Sequence, residues 1–193
     1  MSLNQPVKVG LTHFLIDAKA SRFTVRAFAA GLLSAMGHNP TIGIRGFGGE
    51  VVFDPDTMAA GGFRLTIQAA SLVVEDDIRD RDRREIERAM REDVLEVSQF
   101  PEIRYEAESI AVSALGESLY SATLNGTLSL HGVTRNQPVT ARIANFGEIL
   151  RASGEFTLKQ SDYQIRPIVV AAGALKLKDE LKFSFEMVTR KQG

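Results

Sequence analysis

Apolar and polar residues alternate through Leu119–Leu130. Tyr120, Ala122, Leu124, Leu128 and Leu130 fall on one face, and Ser121, Thr123, Asn125, Thr127 and Ser129 on the other. A period of two places successive side chains on opposite sides of a β-strand, so this stretch predicts one long strand with a dry face and a wet face. Gly126 removes a side chain from the dry face, which marks a bend or bulge. Gly132, Asn136 and Pro138 interrupt the alternation, and Val139, Ala141 and Ile143 resume it. The segment therefore predicts strand, turn, strand within an antiparallel sheet.

The same period recurs along most of the chain. Phe23, Val25 and Ala27 alternate with Arg22, Thr24 and Arg26; Phe63, Leu65, Ile67 and Ala69 alternate with Arg64, Thr66 and Gln68. Ile103, Tyr105 and Ala107 open another strand, Leu150 to Lys159 alternates throughout, and Leu181, Phe183, Phe185 and Met187 close the series. Thr41 to Asp54 reads as a strand pair or one strongly bent strand, since Gly43, Gly46, Gly48 and Gly49 suit sharp coiling. Residues 31–40, fenced by Gly31, Gly37 and Pro40, fit a helical turn or folded loop, and 54–62 a hairpin loop. Only between about 78 and 95 does the period change. There Ile86, Ala89, Met90 and Val94 recur at helical spacing among mixed charges, which predicts one amphipathic helix with a solvated outer face. Residues 163–177 are irregular and partly apolar, which fits a loop over a barrel mouth.

Five stretches carry a resemblance. Leu124-x-Gly126-x-Leu128-Ser129-Leu130-His131-Gly132-Val133-Thr134-Arg135 is the most specific. It is accompanied, in order, by Ile16-Asp17 to Ser21-Arg22-Phe23, Gly49 to Asp54, Phe100-Pro101-Glu102-Ile103-Arg104-Tyr105 and Leu158 to Ile165. Together they resemble the YceI-like family, the polyisoprenoid-binding, lipocalin-like β-barrel proteins, from about residue 13 to 189. The chain departs from that pattern at Ala20, where a His is usual, at Gln164, where a Gly is usual, and in its longer 31–40 segment. The resemblance implies an apolar chain of isoprenoid or fatty-acyl type held along the barrel axis.

The predicted fold class is therefore mainly all-β: a single antiparallel, lipocalin-like barrel of about eight strands with one helix, spanning residues 1–193 as one domain. Closure removes the free edges of a long antiparallel sheet. A barrel of this size is either filled by side chains or wide enough for one small ligand. Small residues on the inward faces (Ala27, Ala69, Ala107, Ala122, Gly126, Ala152, Gly154) favour a lumen with space. The candidate lumen lining is Phe23, Val25, Val51, Phe53, Phe63, Leu65, Ile67, Ile103, Tyr105, Tyr120, Leu124, Leu128, Ile143, Phe156, Phe183 and Phe185. His38, Arg45 and Arg166 are candidate contacts for a ligand headgroup.

Composition narrows the chemistry. A net charge of −1 over 193 residues gives no reason to expect nucleic acid or an anionic membrane surface. The absence of cysteine excludes disulfides, thiol catalysis and thiolate metal sites. His13, His38 and His131 are scattered, so no metal site is expected, and no cofactor. Ser34 with His38 lacks a nucleophile elbow and an acid partner, so no catalytic residues are assigned. Two alternatives to a carrier remain: a hydrolase or metal-dependent enzyme using His38, and a structural barrel with a filled core. The expected partner is a long-chain lipid or isoprenoid, with no integral membrane segment and a homodimer left open. The N-terminus lacks the charged lead and apolar core of a secretory signal. As it stands the chain is expected in the cytoplasm, or in the periplasm if a signal had been removed.

Overall fold

A computed structural model describes residues 10–30, 39–54, 61–167, 169–170 and 175–193. The predicted segments at 31–38 and 55–60, with most of 168–174, lie outside the described residues, and so do His38 and Ser34. The described strands are β1 (Thr12–Ile16), β2 (Arg22–Arg26), β3 (Ala29–Ala30), β4 (Thr41–Ile44), β5 (Phe47–Phe53), β6 (Phe63–Gln68) and β7 (Leu72–Val74). After helix α1 (Asp80–Ala89) come β8 (Glu102–Ala114), β9 (Leu119–Leu130), β10 (Val133–Asn145), β11 (Ile149–Lys159), β12 (Val169–Val170), β13 (Leu175–Leu177) and β14 (Glu180–Lys191). No described helix is long and apolar enough to cross a membrane.

Eight strands close on themselves. Hydrogen-bonded neighbours run β1, β5, β6, β8, β9, β10, β11, β14, and β14 returns to β1 through pairs such as Leu15 with Arg190. All the pairings are antiparallel, as the two-residue alternation predicts. The lower end of the barrel carries the turns after β8 and β10. The upper end carries the β9–β10 turn and α1.

Three consecutive strands of the wall are broken at one level. β1 and β2 flank the same edge of β14, on either side of residues 17–21. Val188 of β14 keeps both its backbone bonds across that gap: its carbonyl accepts from Asp17 N (2.8 Å), and its N–H donates to Ser21 Oγ (2.9 Å). Asp17 Oδ1 accepts from the amides of Lys19 and Ala20, and Arg190 holds the other oxygen at 2.7 Å, which keeps the Asp17 carboxyl below its ordinary range. The N-terminal motif is thus a device for jogging a strand without losing a ladder bond. β4 and β5 are two strands divided by a bend at Arg45–Gly46, within the segment expected to be a strand pair or one strongly bent strand, and β6 and β7 are separated by a 3₁₀ turn at Ala69–Ser71.

The breaks flare the upper half of the wall and leave β7 with a free edge, since it ends the strand order. Helix α1 covers that edge with polar side chains. Val74 N donates to Glu87 Oε1 (2.9 Å), while Arg83 donates to the carbonyls of Val74 and Asp76. Side chains here satisfy backbone groups that a neighbouring strand would have taken. The predicted helix at 78–95 is α1 continued by a π-type turn at Met90–Val94.

One expected turn is not a turn. The chain reverses at His131–Gly132, and β10 runs straight through Asn136 and Pro138. Proline is tolerated because this part of β10 borders only β9. The β10–β11 ladder joins Ala141–Asn145 to Leu150–Gly154 and goes no higher among the described residues.

Candidate ligand-binding site

The inward faces of the strands enclose an apolar cavity of about 220 Å³. Of the predicted lining, Phe23, Val25, Val51, Phe63, Leu65, Ile67, Ile103, Tyr105, Leu124, Leu128, Ile143, Phe156, Phe183 and Phe185 border it. Alternation alone located these positions, because a residue on the dry face of a closed sheet has only the lumen to face.

Phe53 and Tyr120 do not border it. Phe53 lies on the dry face, but at the lower end, where it stacks on Phe14 with ring centroids 5.1 Å apart. Phe14, Phe53 and Leu150 form a separate buried cluster, against which Val51 and Ile143 pack from the cavity side. This cluster is the floor of the lumen. Tyr120 sits half-buried at the same low level, beside Ile143 and Ala114.

At the upper end the wall is completed by residues that alternation could not assign. Ile86 of α1 borders the cavity while 37% exposed, with Met90, Val94 and Leu95 behind it. Pro40, Ile165 and Leu177 also border it there. No residue of α1 itself is fully buried. The helix therefore roofs the lumen without sealing it.

Of the small inward residues, Ala27 and Ala152 border the cavity, while Gly126 and Gly154 have a different use. A Cβ at Gly126 would stand 2.6 Å from the ring and hydroxyl of Tyr105, and one at Gly154 would stand 2.7 Å from the ring of Phe185. These glycines admit aromatic rings flat against the wall. Space remains in the lumen alongside them.

The polar atoms of the lining are already engaged. The Tyr105 hydroxyl donates to the Gln137 carbonyl (2.9 Å) or the Leu124 carbonyl (3.2 Å), and burial pushes its ionisation up to about 12. Gln160 Nε2 donates to the Lys178 carbonyl at 3.0 Å. A neutral, internally bonded lining offers dispersion and apolar burial to a ligand.

Of the candidate headgroup contacts, Arg45 and Arg166 do not border this cavity, and His38 lies outside the described residues. Arg45 lies on the outer face, 63% exposed and bound to Glu75 Oε1 at 2.8 Å, with Arg22 on the other carboxylate oxygen. Arg166 is exposed and does not border the lumen. His13, near the lower end, faces Glu50 at 3.4 Å. His131 is a turn residue, but its ring bonds are long-range ones: Nε2 lies 2.7 Å from Glu96 Oε2, and Nδ1 lies 3.2 Å from the Tyr163 carbonyl. Glu96, His131 and Gln164 share left-handed backbone conformations, and their segments meet in one knot at the upper rim. Gln164, with φ 59°, thus occupies a conformation that glycine adopts without strain. Among the described residues no group of three or more potential ligands is placed to hold a metal ion.

Solved structures share this architecture. The crystal structure of Burkholderia cenocepacia BcnA matches with a TM-score of 0.67 at 20% identity, over 90% of this chain and 98% of that one. A polyisoprenoid binding domain from Saccharophagus degradans, implicated in plant cell wall breakdown, matches with a TM-score of 0.68 at 15% identity, over 96% and 100% of the two chains. The Campylobacter jejuni YceI protein matches at 0.58 and 16% identity, over 81% and 87%. At these identities the likeness is one of fold. No curated protein matches the sequence. The model of the YceI-like domain matches residues 14–189, which takes in the floor, the lumen and the roof, and the chain belongs to that family.

Proposed function

We propose that the protein is a non-enzymatic carrier or sequestering protein for a long-chain apolar or amphiphilic molecule, with the tail in the barrel lumen. One observation carries the reading: the cavity is floored by aromatic packing, lined by side chains whose few polar atoms are internally bonded, and roofed by a helix with no buried residue of its own. An apolar cavity of roughly 150 Å³ stays dry and accepts benzene. The lumen here is larger, at about 220 Å³, and extends from the level of Val51 to that of Ile86. Each buried methylene contributes about 0.8 kcal/mol, so a tail of ten carbons supplies a large part of a micromolar affinity, less the cost of ordering it. The relative described as a polyisoprenoid binding domain supports a tail of isoprenoid type.

Solvent extraction and native mass spectrometry of the purified protein test this. A co-purifying lipid, or saturable uptake of a dansylated acyl chain or a prenyl phosphate, is the expected result. Protein that emerges empty and takes up neither probe overturns it.

A further inference from the structure

The barrel wall has a second discontinuity, distinct from the broken strands under α1. β10 and β11 are neighbours in the closed ring, yet only Ala141–Asn145 and Leu150–Gly154 are joined. Above that ladder, residues 133–140 of β10 and 155–159 of β11 part. At the top, the 3₁₀ turn Gln160–Tyr163 bridges them. Arg135 Nε donates to the Asp162 carbonyl at 2.5 Å, and His131 lies within hydrogen-bonding distance of the Tyr163 carbonyl. The result is a window, tied shut at both ends and lined by polar groups including Arg135, Gln137, Thr157 and Lys159.

The register shows which way the β10 groups face, while Thr157 and Lys159, alternating with the lumen-bordering Phe156 and Leu158, belong to the outer face of β11. Arg135 stands opposite Leu128 and Gln137 opposite Gly126, while the next position on that face, Val139, stands opposite Leu124. Directly opposed residues of an antiparallel pair share a face. Leu124, Leu128 and Val139 all border the lumen, so Arg135 and Gln137 occupy its face as well. Arg135 is exposed at the rim of that face, above the lumen-bordering Leu128, so its charge stays in water while its stem shares the inward face. Leu158 of β11 borders both the lumen and the window, so a single side chain stands between the two.

The chemistry of the window favours an anion. Nε of Arg135 is held by the Asp162 carbonyl, which orients the guanidinium, and neither Nη group has a partner among the described residues. Such a fork matches a carboxylate or phosphate. Lys159 lies on the β11 side, and its register partner Glu180 balances it across the β11–β14 ladder. Asp162 adds a second carboxylate at the rim of the same groove and narrows the favourable position to the Arg135 side.

Resting on the lumen reading above, we propose that the window between β10 and β11 is the headgroup site of an anionic amphiphile, whose tail enters the lumen past Leu158 and whose carboxylate or phosphate is gripped by Arg135. The test compares farnesyl phosphate, palmitate and the neutral farnesol on the full chain at low salt, with wild type, Arg135→Gln and Arg135→Lys. Farnesyl phosphate is expected to bind wild type roughly tenfold or more tightly than farnesol, the scale of a charge-assisted hydrogen bond. Arg135→Gln is expected to abolish that preference, and Arg135→Lys to keep part of it. Tight palmitate binding with the same dependence assigns the site to carboxylates too, and its absence restricts the site to phosphates. An Arg135→Gln protein that still prefers the phosphate places the headgroup elsewhere and overturns the window while leaving the lumen reading intact. Failure of wild type to bind any of the three overturns both. Because the chain has no cysteine, Asn136→Cys gives a single labelling position on the window that leaves Arg135 in place. An environment-sensitive dye there is expected to shift with farnesyl phosphate and not with farnesol, and an unchanged spectrum with bound phosphate counts against the site.

Discussion

The two ends of this barrel are built on different physics. At the lower end Phe14, 2% exposed, stacks on Phe53, and Leu150 completes a dry plug. At the upper end α1 has no buried residue and meets the edge of β7 through Arg83 and Glu87, while the turn that continues it buries Met90 and Leu95. Apolar burial gives the floor its stability, while at the roof polar bonds near solvent, whose net contribution is small, hold α1 itself beside the buried Met90 and Leu95. Stability and access are therefore assigned to opposite ends, and a substitution should affect one or the other.

Phe14→Ala breaks the comparison most severely. Loss of a buried ring costs about 3–5 kcal/mol, so its urea-unfolding midpoint is expected to fall sharply. Gly126→Ala comes next, at roughly 1–3 kcal/mol, because the new methyl collides with Tyr105 and with the Glu106 carbonyl at 2.6 Å.

Alkaline pH probes the same wall. The buried Tyr105 phenol ionises only at about 12, against an ordinary value of 10.0 when the chain is unfolded. The neutral phenol's contribution is complete below pH 10 and is lost as pH rises from there towards 12, since the unfolded chain releases its proton first. In Tyr105→Phe the decline of the unfolding midpoint over that window is expected to be shallower. Some slope remains, because burial also pushes the Tyr163 phenol up.

Thr189→Val has the opposite sign. Thr189 is fully buried and its hydroxyl has no hydrogen-bond partner among the described residues. Replacing it with an isosteric apolar group is expected to raise stability by about 1 kcal/mol, read as a higher unfolding midpoint. The smallest effect on stability belongs to the roof. Arg83→Ala is expected to cost about 1 kcal/mol or less, while amide exchange in α1 and release of a bound fluorescent acyl chain both quicken. Equal sensitivity at the two ends would end the division of labour.

Much of this was legible in the sequence, and its limits have physical causes. A period of two identifies the dry face of every long strand, which is why Phe23, Leu65 and Phe183 were found. Period carries no information on height along the barrel axis, so Phe53 and Tyr120 were assigned to the lumen although they lie at or near its floor. Helical spacing identifies Ile86 and Met90 as the apolar stripe of the helix but not as part of the lumen, because nothing local says that β7 has a free edge for the helix to cover. Arg45 was misplaced because its partner, Glu75, is thirty residues away. Arg135 was in plain view within the signature hairpin. Counting back from a two-residue turn at His131–Gly132 puts it opposite Leu128, but Pro138 had drawn the expected turn too far along the chain.

The pairing of β1 with β14 also bears on how the chain is born. The ring cannot close until one of its earliest strands meets one of its latest, across some 175 residues, and such distant pairing is slow. During synthesis the nascent sheet therefore carries an unpaired margin at β1 and another at β11, each able to capture a neighbouring polypeptide until β14 leaves the ribosome.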